Sequence, residues 1–492
     1  MSFKKVIEQE KIIFDSARKK VLENTQTVLD KVPAYKEFLI NNNFSNTKVS
    51  TFSEFETLPY QTKHNYIMEY DLKSRCLDGT LKNKHVIFAS SGSTGEPQYW
   101  AISPEDEKHF PAIYNQMLKL SLDYENKSCL IIICLGLGAW VSGLQTHWAL
   151  RQAGIENNGA FTVATPGIDF DSAINFIKEL GPSYDTVFLI SYPGMVKAIF
   201  EAGIQKNVKL EDYNIRIGLV GDNFPESWRI HMENKLGIDS EKEPMGIWGG
   251  YGSADIGGVG IESPMSIAIR KIAQNNPEFK KDAFGENRDM PFLCRWNPES
   301  IYVESCNNEL IFTKMKAIPV VRYKIHDSGG IIRYSEMLNL LEKHGISIDS
   351  INSDSALYST PLPFIYTYGK SGGDIVLSGA NIYASQIREL ISKEKWTSIF
   401  TGRFKIKKTV TENFDEEFKI IVELNSGISV GKHESENWSR IFQDQLRGLC
   451  SEYNAICEMT DGREKFLPQI IPLPYGHEKF ANTKYKSIYV EK

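Results

Sequence analysis

Positive charge is in short supply. The 492-residue sequence holds 56 lysines and arginines against 62 acidic residues, a net charge of −6, with no long basic run. Nucleic acid needs a basic footprint, so it is not an expected partner. Cysteines are few and scattered, at 76, 129, 134, 294, 306, 450 and 457, without a Cys-x-x-Cys pair or a His/Cys group at zinc spacing. That pattern excludes a disulfide framework and a zinc ribbon and fits idle thiols in a reducing compartment. Long hydrophobic runs are missing too. The most apolar stretch, Cys129-LIIICLGLGAWVSGL, is short and rich in glycine, so no membrane span is expected. The first 26 residues lack the continuous apolar core of a secretory signal, and a cytoplasmic protein is expected. Neither internal repeats nor low-complexity segments occur.

What is present reads as an ordinary globular chain, 41% hydrophobic and 24% charged, too long for a single core. Val6, Ile13, Ala17 and Val21 fall on one face of an N-terminal helix. From 128 to 255 strand and helix patterns alternate. Strands are expected at Leu130–Cys134, Ala160–Ala164, Thr186–Ile190, Ile215–Val220 and Met245–Trp248, with helices between them. This spacing predicts an α/β fold with a doubly wound parallel sheet. Residues 300–335 read as accessory β-structure, and the tail as a small α+β domain. The expected division is 1–370 and 371–492. In parallel sheets ligands sit beyond the carboxyl ends of the strands. Several of these strands run out there into Leu135-GLG, Val220-GDN and Trp248-GGYGSAD.

Between two apolar runs lies Ser90-Ser91-Gly92-Ser93-Thr94-Gly95. Glycines admit close backbone approach, and amides with hydroxyls donate to phosphate oxygens. The segment therefore has the composition of a phosphate cradle, with a plain hairpin turn as the alternative. It is not a Walker loop, because Gly-Glu-Pro follows rather than Gly-Lys-Ser/Thr, nor a dinucleotide fingerprint, because no helix opens after it.

The ordered set SSGSTGEP, YGSAD (251–255), RYKIHD (322–327), GKSGGDIVLSGANIY (369–383) and TKYKSIYV (483–490) resembles the adenylate-forming superfamily of acyl-CoA synthetases and adenylation domains. Leu58-Pro-Tyr-Gln-Thr-Lys63 and the glycine-rich stretch from Leu135 resemble its phenylacetate–CoA ligase branch. The resemblance implies that Ser90–Gly95 bind ATP phosphates, with Glu96 standing where the family usually has lysine. It implies that Tyr251, with Gly252 and Ser253, lies against adenine, and that Asp255 helps hold Mg²⁺, although Ala254 lacks the usual hydroxyl. Asp222 and Asn223 correspond to the adenine-edge segment, or are a helix entry. Asp327 would accept both ribose hydroxyls, and His326 is structural. Lys486 would be the catalytic lysine, with Lys484 as competitor, and Lys370 stands in an arginine position. Gly372-Gly373 would be the hinge on which the C-terminal domain rotates between half-reactions. Trp140, Val141, Phe224, Trp248, Gly249 and Gly250 are candidates for an acyl pocket suited to an aromatic or arylacetic acid, with Trp140 and Trp248 equally readable as core.

The implied reaction converts a carboxylic acid and ATP to an acyl-adenylate and pyrophosphate, then transfers the acyl group to coenzyme A. Transfer to an amine, transfer to protein (Cys450 and Cys457 being considered), and a non-catalytic nucleotide-binding regulator stay open as alternatives. A homodimer is suggested by the resemblance alone.

Overall fold

The computed structural model describes residues 3–44, 48–90, 98–108, 110–138, 141–286, 290–347, 360–370, 374–459 and 464–481. They pack as two units. The larger comprises the described residues of Met1–Ser90, Tyr99–Ser191 and Gly203–Gly369; the smaller comprises Gln98 and the described residues of Tyr192–Ala202 and Lys370–Lys492.

In the larger unit the chain begins with a helix over Phe3–Lys31, whose buried residues Val6, Glu10, Phe14, Ala17, Val21, Thr25 and Val28 recur every three or four positions. Phe14, not the expected Ile13, occupies the stripe, because the step runs through Glu10. That carboxylate is itself buried, where it accepts from the Tyr334 amide at 2.7 Å. An acid in an apolar stripe hides the period from a reading of hydrophobicity alone.

A short strand, β1 (Gln61–Thr62), and a hairpin of β2 (Val86–Ser90) and β3 (Gln98–Ile102) precede the main sheet. Then come β4 (Cys129–Ile133), β5 (Phe161–Ala164), β6 (Thr186–Ser191), β7 (Ile215–Leu219) and β8 (Ile247–Ser253), in spatial order β5-β4-β6-β7-β8 and all parallel. Every residue of β4, β6 and β7 is buried, which is why these strands read as unbroken apolar runs. Helices Val141–Glu156, Phe170–Leu180, Pro193–Gln205 and Glu226–Leu236 alternate with them, close to the expected spans. Gly237 ends the last with φ +64°, a left-handed cap that glycine adopts without penalty.

The accessory strands are not a separate layer. β8 turns back into antiparallel β9 (Gly257–Ile261), and the sheet continues through β10 (Phe292–Trp296), β14 (Phe364–Lys370), β13 (Val320–Ile332), β12 (Glu309–Lys314) and β11 (Tyr302–Cys306). The result is one twelve-stranded mixed sheet. The reason lies in β8, expected to stop at Trp248 but running to Ser253. Its glycines pair with β9, Gly250 opposite Ile261 and Tyr251 opposite Gly260. Composition made Gly249-Gly250-Tyr-Gly look like loop; the partner strand makes it sheet.

In the smaller unit β17 (Phe400–Val410) and β18 (Glu416–Leu424) pair antiparallel, and β19 (Gln469–Leu473) adds in parallel, after the short hairpin β15 (Ile375–Leu377) and β16 (Ala380–Ile382). Helix Lys432–Leu449 packs Trp438 and Phe442 against Trp396 and Phe400, with ring centroids 4.9–5.6 Å apart for the pairs made by Trp396. The unit is α+β.

Among the described residues no helix is long and apolar enough to cross a membrane.

Candidate functional site

At the far end of β8 two tyrosine–aspartate pairs tie the β8–β9 hairpin to β13. The Tyr251 hydroxyl donates to Asp327 Oδ2 at 2.7 Å, and the Tyr323 hydroxyl donates to Asp255 Oδ2 at 2.7 Å. Asp327 is only 6% exposed. Burial, and then the facing carboxylate, push the Tyr251 phenol well above its ordinary value, so it stays a donor. Its ring lies 6.4 Å from Phe292 and 6.3 Å from Phe312, centroid to centroid.

β13 reaches both aspartates because it is not a regular strand. Arg322 and His326 have φ of +49° and +60°, and the pairing with β12 shifts register between Glu309 and Ile311 and again between Phe312 and Lys314. Such bulges re-aim side chains at the cost of local strain. The strain is held in place from outside. Arg322 donates to the Leu58 carbonyl at 2.8 Å and the Tyr60 hydroxyl at 3.2 Å, and pairs with Glu304 at 3.0 Å. Gln61 accepts from the Val321 amide at 2.7 Å, and β1 runs parallel to β13. The Leu58–Lys63 stretch is thus a brace for β13. His326 pairs with Glu309 at 2.7 Å, the structural role expected of it.

Behind the hairpin lie three cations. Lys316 donates to the Asp255 carbonyl and sits 4.1 Å from the Trp100 ring centroid. Lys314 donates to the Gly258 carbonyl at 3.1 Å. Arg75 lies 5.9 Å from the same indole. Burial lowers all three, Lys316 to about 7 with Lys314 contributing, and Lys314 to about 8.

A fully buried charge network holds the backbone at Gly249 and Phe224. Arg229 Nε meets Glu226 Oε2 at 2.8 Å and its Nη2 meets Glu262 Oε1 at 2.7 Å; Arg270 Nη1 meets that same Glu262 oxygen at 2.7 Å. All four residues are 0% exposed. Burial opposes their charges, yet the carboxylates lift Arg229 above its ordinary range and the guanidiniums hold Glu226 below its own. The network grips the backbone: Glu262 Oε2 accepts from the Gly249 amide at 2.7 Å, and Arg270 Nη2 donates to the Phe224 carbonyl at 2.7 Å. Both guanidiniums lie over the Phe224 ring, at 4.8 and 5.2 Å.

Tyr251, Asp255 and Asp327 are therefore brought together, with Gly252 in the tight hairpin and the Ser253 hydroxyl buried without a hydrogen-bond partner among the described residues. Gly249 is sterically required, since a Cβ there would stand 2.5 Å from Phe292, whereas one on Gly250 would meet nothing closer than 3.6 Å. Trp248 and Phe224 are core side chains, 3% and 2% exposed, Trp248 stacked on Phe188 at 5.8 Å. Of the two readings open for Trp248, the structure places it in the core, because β8 is covered on that face. The Asn223 amide is committed to protein: Oδ1 accepts from the Phe224 amide at 2.8 Å and Nδ2 donates to the Met290 carbonyl at 3.2 Å. Asp222 Oδ1 accepts from the Asn223 amide at 2.8 Å. Val141 opens the helix after β4, and Lys370 ends β14 and is grouped with the smaller unit. Ser91, Gly92, Ser93, Thr94, Gly95, Glu96, Trp140, Gly372, Gly373, Lys484 and Lys486 lie outside the described residues, as does the side chain of Ser90. Sequence reading missed Tyr323, Lys314, Lys316 and the Glu226–Arg229–Glu262–Arg270 network. The signals available were the Glu-x-x-Arg step at 226–229 and a tyrosine four residues before Asp327.

No protein-family model matches the chain. It is similar to the phenylacetate–coenzyme A ligase of Aromatoleum evansii, 20% identical over 353 residues, covering 71% of this chain and 68% of that protein. It is also similar to that of Escherichia coli K12, 21% identical over 310 residues, covering 62% and 60%. Among solved structures, 2-hydroxyisobutyryl-CoA ligase in complex with 2-HIB-AMP and CoA superposes with a TM-score of 0.62 at 11% identity, covering 99% of this chain and 90% of that one. The chain thus shares the fold of an acyl-CoA ligase of the adenylate-forming kind and is similar in sequence to others. The sequence matches fall on phenylacetate–coenzyme A ligases.

Proposed function

We propose that the protein activates a carboxylic acid, aromatic or arylacetic, with ATP and passes the acyl group to coenzyme A. The observation that carries this reading is the 2.7 Å Tyr251–Asp327 pair beside Asp255 at the end of β8. It combines an aromatic face, a buried carboxylate and a second carboxylate held by a phenol, in a chain similar to phenylacetate–CoA ligases.

A carboxylate is a poor acyl donor because oxide is a poor leaving group. In the first half-reaction a substrate carboxylate oxygen attacks the α-phosphorus of ATP, the bond to the β-phosphate oxygen breaks, and pyrophosphate leaves. In the second the thiol sulfur attacks the acyl carbon, the thiol proton is lost, and AMP departs with its oxygen. The substrates supply nucleophile and leaving group, so the protein's task is positioning and charge. Tyr251 would lie against adenine while its hydroxyl orients Asp327 toward the ribose diol, which offers two donors to a carboxylate. Asp222 and Asn223 would border the base, and the Ser253 hydroxyl would be available as a donor. Gly249 and Gly250, backed by Phe224 and Trp248, would leave room for a flat acyl group near Val141 and Trp140.

The donor set at Asp255 fits Mg²⁺. One of its oxygens is held by Tyr323, and among the described residues no three His, Cys, Asp or Glu gather. A single carboxylate suits an ion that takes its remaining ligands from phosphate and water. Mg²⁺ bound there would offset negative charge on the phosphates. Ser90–Gly95 as phosphate cradle, Lys486 as the cation meeting the α-phosphate, Lys370, and rotation about Gly372-Gly373 enter from sequence resemblance.

The acceptor is taken to be coenzyme A rather than a protein thiol of this chain. Cys450 and Cys457 are 2% and 4% exposed, and burial pushes the Cys450 thiol up to about 11. The test is carboxylate-dependent exchange of labelled pyrophosphate into ATP across an acid library, followed by AMP release with coenzyme A against a panel of amines. Exchange with arylacetic or aromatic acids and AMP release dependent on coenzyme A are expected. Absence of exchange with every acid would overturn the reading.

A further inference from the structure

We propose that Arg75, Lys314 and Lys316 form a polyphosphate-binding cluster in the larger unit, receiving the terminal phosphates of ATP or free pyrophosphate. The inference rests on the nucleotide reading above and names residues that lie outside the sequence motifs.

Three observations carry it. The first is convergence: Lys316 and Arg75 lie against one indole, that of Trp100, at 4.1 and 5.9 Å, while Lys314 and Lys316 hydrogen-bond the backbone on either side of the turn that follows Asp255. The second is missing compensation. None of the three makes an ion pair with a carboxylate among the described residues. Asp255 gives its side chain to Tyr323, and Asp106 gives its own to the amides of Ala317 and Ser103. Arg75 is 3% exposed, yet among the described residues its Nε and Nη1 have no hydrogen-bond partner, while Nη2 reaches the Tyr99 carbonyl at 3.4 Å. A buried guanidinium in that condition is costly, and an anion entering the cluster would relieve it. The third is location. Trp100 lies on β3, the strand that follows the Ser90–Gly95 segment in sequence, and that segment has no cation of its own and is followed by Glu96. Hydroxyls and amides alone balance a polyphosphate poorly, so its charge must be met from elsewhere in the fold.

The experiment compares binding of ATP, inorganic pyrophosphate and AMP to the full-length chain by titration calorimetry, for the wild type and for Lys314→Met, Lys316→Met and Lys316→Arg. Thermal melts first establish that each variant is folded; should Lys316→Met fail, Lys314→Met carries the comparison. The proposal expects each methionine variant to bind ATP and pyrophosphate about tenfold more weakly, the worth of one charge-assisted hydrogen bond. AMP, which lacks the terminal phosphates, should bind unchanged, and Lys316→Arg should retain most of the affinity. Equal weakening for all three ligands would mean that the lysines only prop the Asp255 turn, and would overturn the proposal. Unchanged ATP and pyrophosphate binding would overturn it as well, while leaving the nucleotide reading standing. A wild type that binds neither ATP nor AMP overturns both.

Discussion

Asp327 and Asp255 carry the same side chain, yet their surroundings differ. Asp327 is buried, with its carboxylate set by a phenol from β8; Asp255 is half-buried on the hairpin itself. Asp327→Asn preserves shape and removes the charge that would take two diol hydrogen bonds. We expect the KM for ATP to rise about tenfold or more, the cost of weakening charged hydrogen bonds, with the KM for the acid within about twofold. Steady-state kinetics with each substrate varied would check this. A second residue-scale test is the pair Gly249→Ala and Gly250→Ala. The first forces a Cβ to 2.5 Å from Phe292 and 3.1 Å from Phe224; the second makes only ordinary contacts. Gly249→Ala should cost about 1–3 kcal/mol of stability and a large part of the activity, and Gly250→Ala little of either. Chemical denaturation beside exchange activity would separate them.

At the scale of elements, what was legible in the sequence follows burial. β4, β6 and β7 are covered on both faces, so each announces itself as an apolar run, and the helix after β7 shows its stop at Gly237. β8 beyond Trp248 did not, because its glycines satisfy a partner strand whose position only the tertiary fold sets. Nor did the bulge of β13, since a positive φ at Arg322 and His326 is not what those residue types suggest. The charge network escaped for a related reason: Arg229 and Glu262 are 33 residues apart, one on a helix and the other in the connection after β9. It makes its own prediction. Glu262→Gln halves the anionic charge facing two buried guanidiniums and should destabilise by about 3–5 kcal/mol, whereas the double change Glu262→Met with Arg270→Met should cost less than the sum of its parts. Denaturant melts of the single and double variants decide it.

For the whole molecule, the superfamily was readable because five short motifs recur in one order, a property of the chain rather than of any segment. The mechanism above splits that chain's work by half-reaction. Lys486→Ala should lose adenylate formation by a factor of about a hundred or more, as removal of a transition-state charge donor does. Thioester formation from supplied acyl-adenylate and coenzyme A should fall only severalfold. Single-turnover assays of the two steps check this, and an equal fall in both would remove Lys486 from the role in favour of a neighbour such as Lys484.

Both aspartates of the site hang from one ribbon: Asp327 is part of β13, and Asp255 is tethered to it through Tyr323. Deleting or inserting a single amino acid between 323 and 327 would unseat the two together. Length variation among descendants of this chain should therefore accumulate elsewhere, in the surface connections, leaving that five-residue interval untouched.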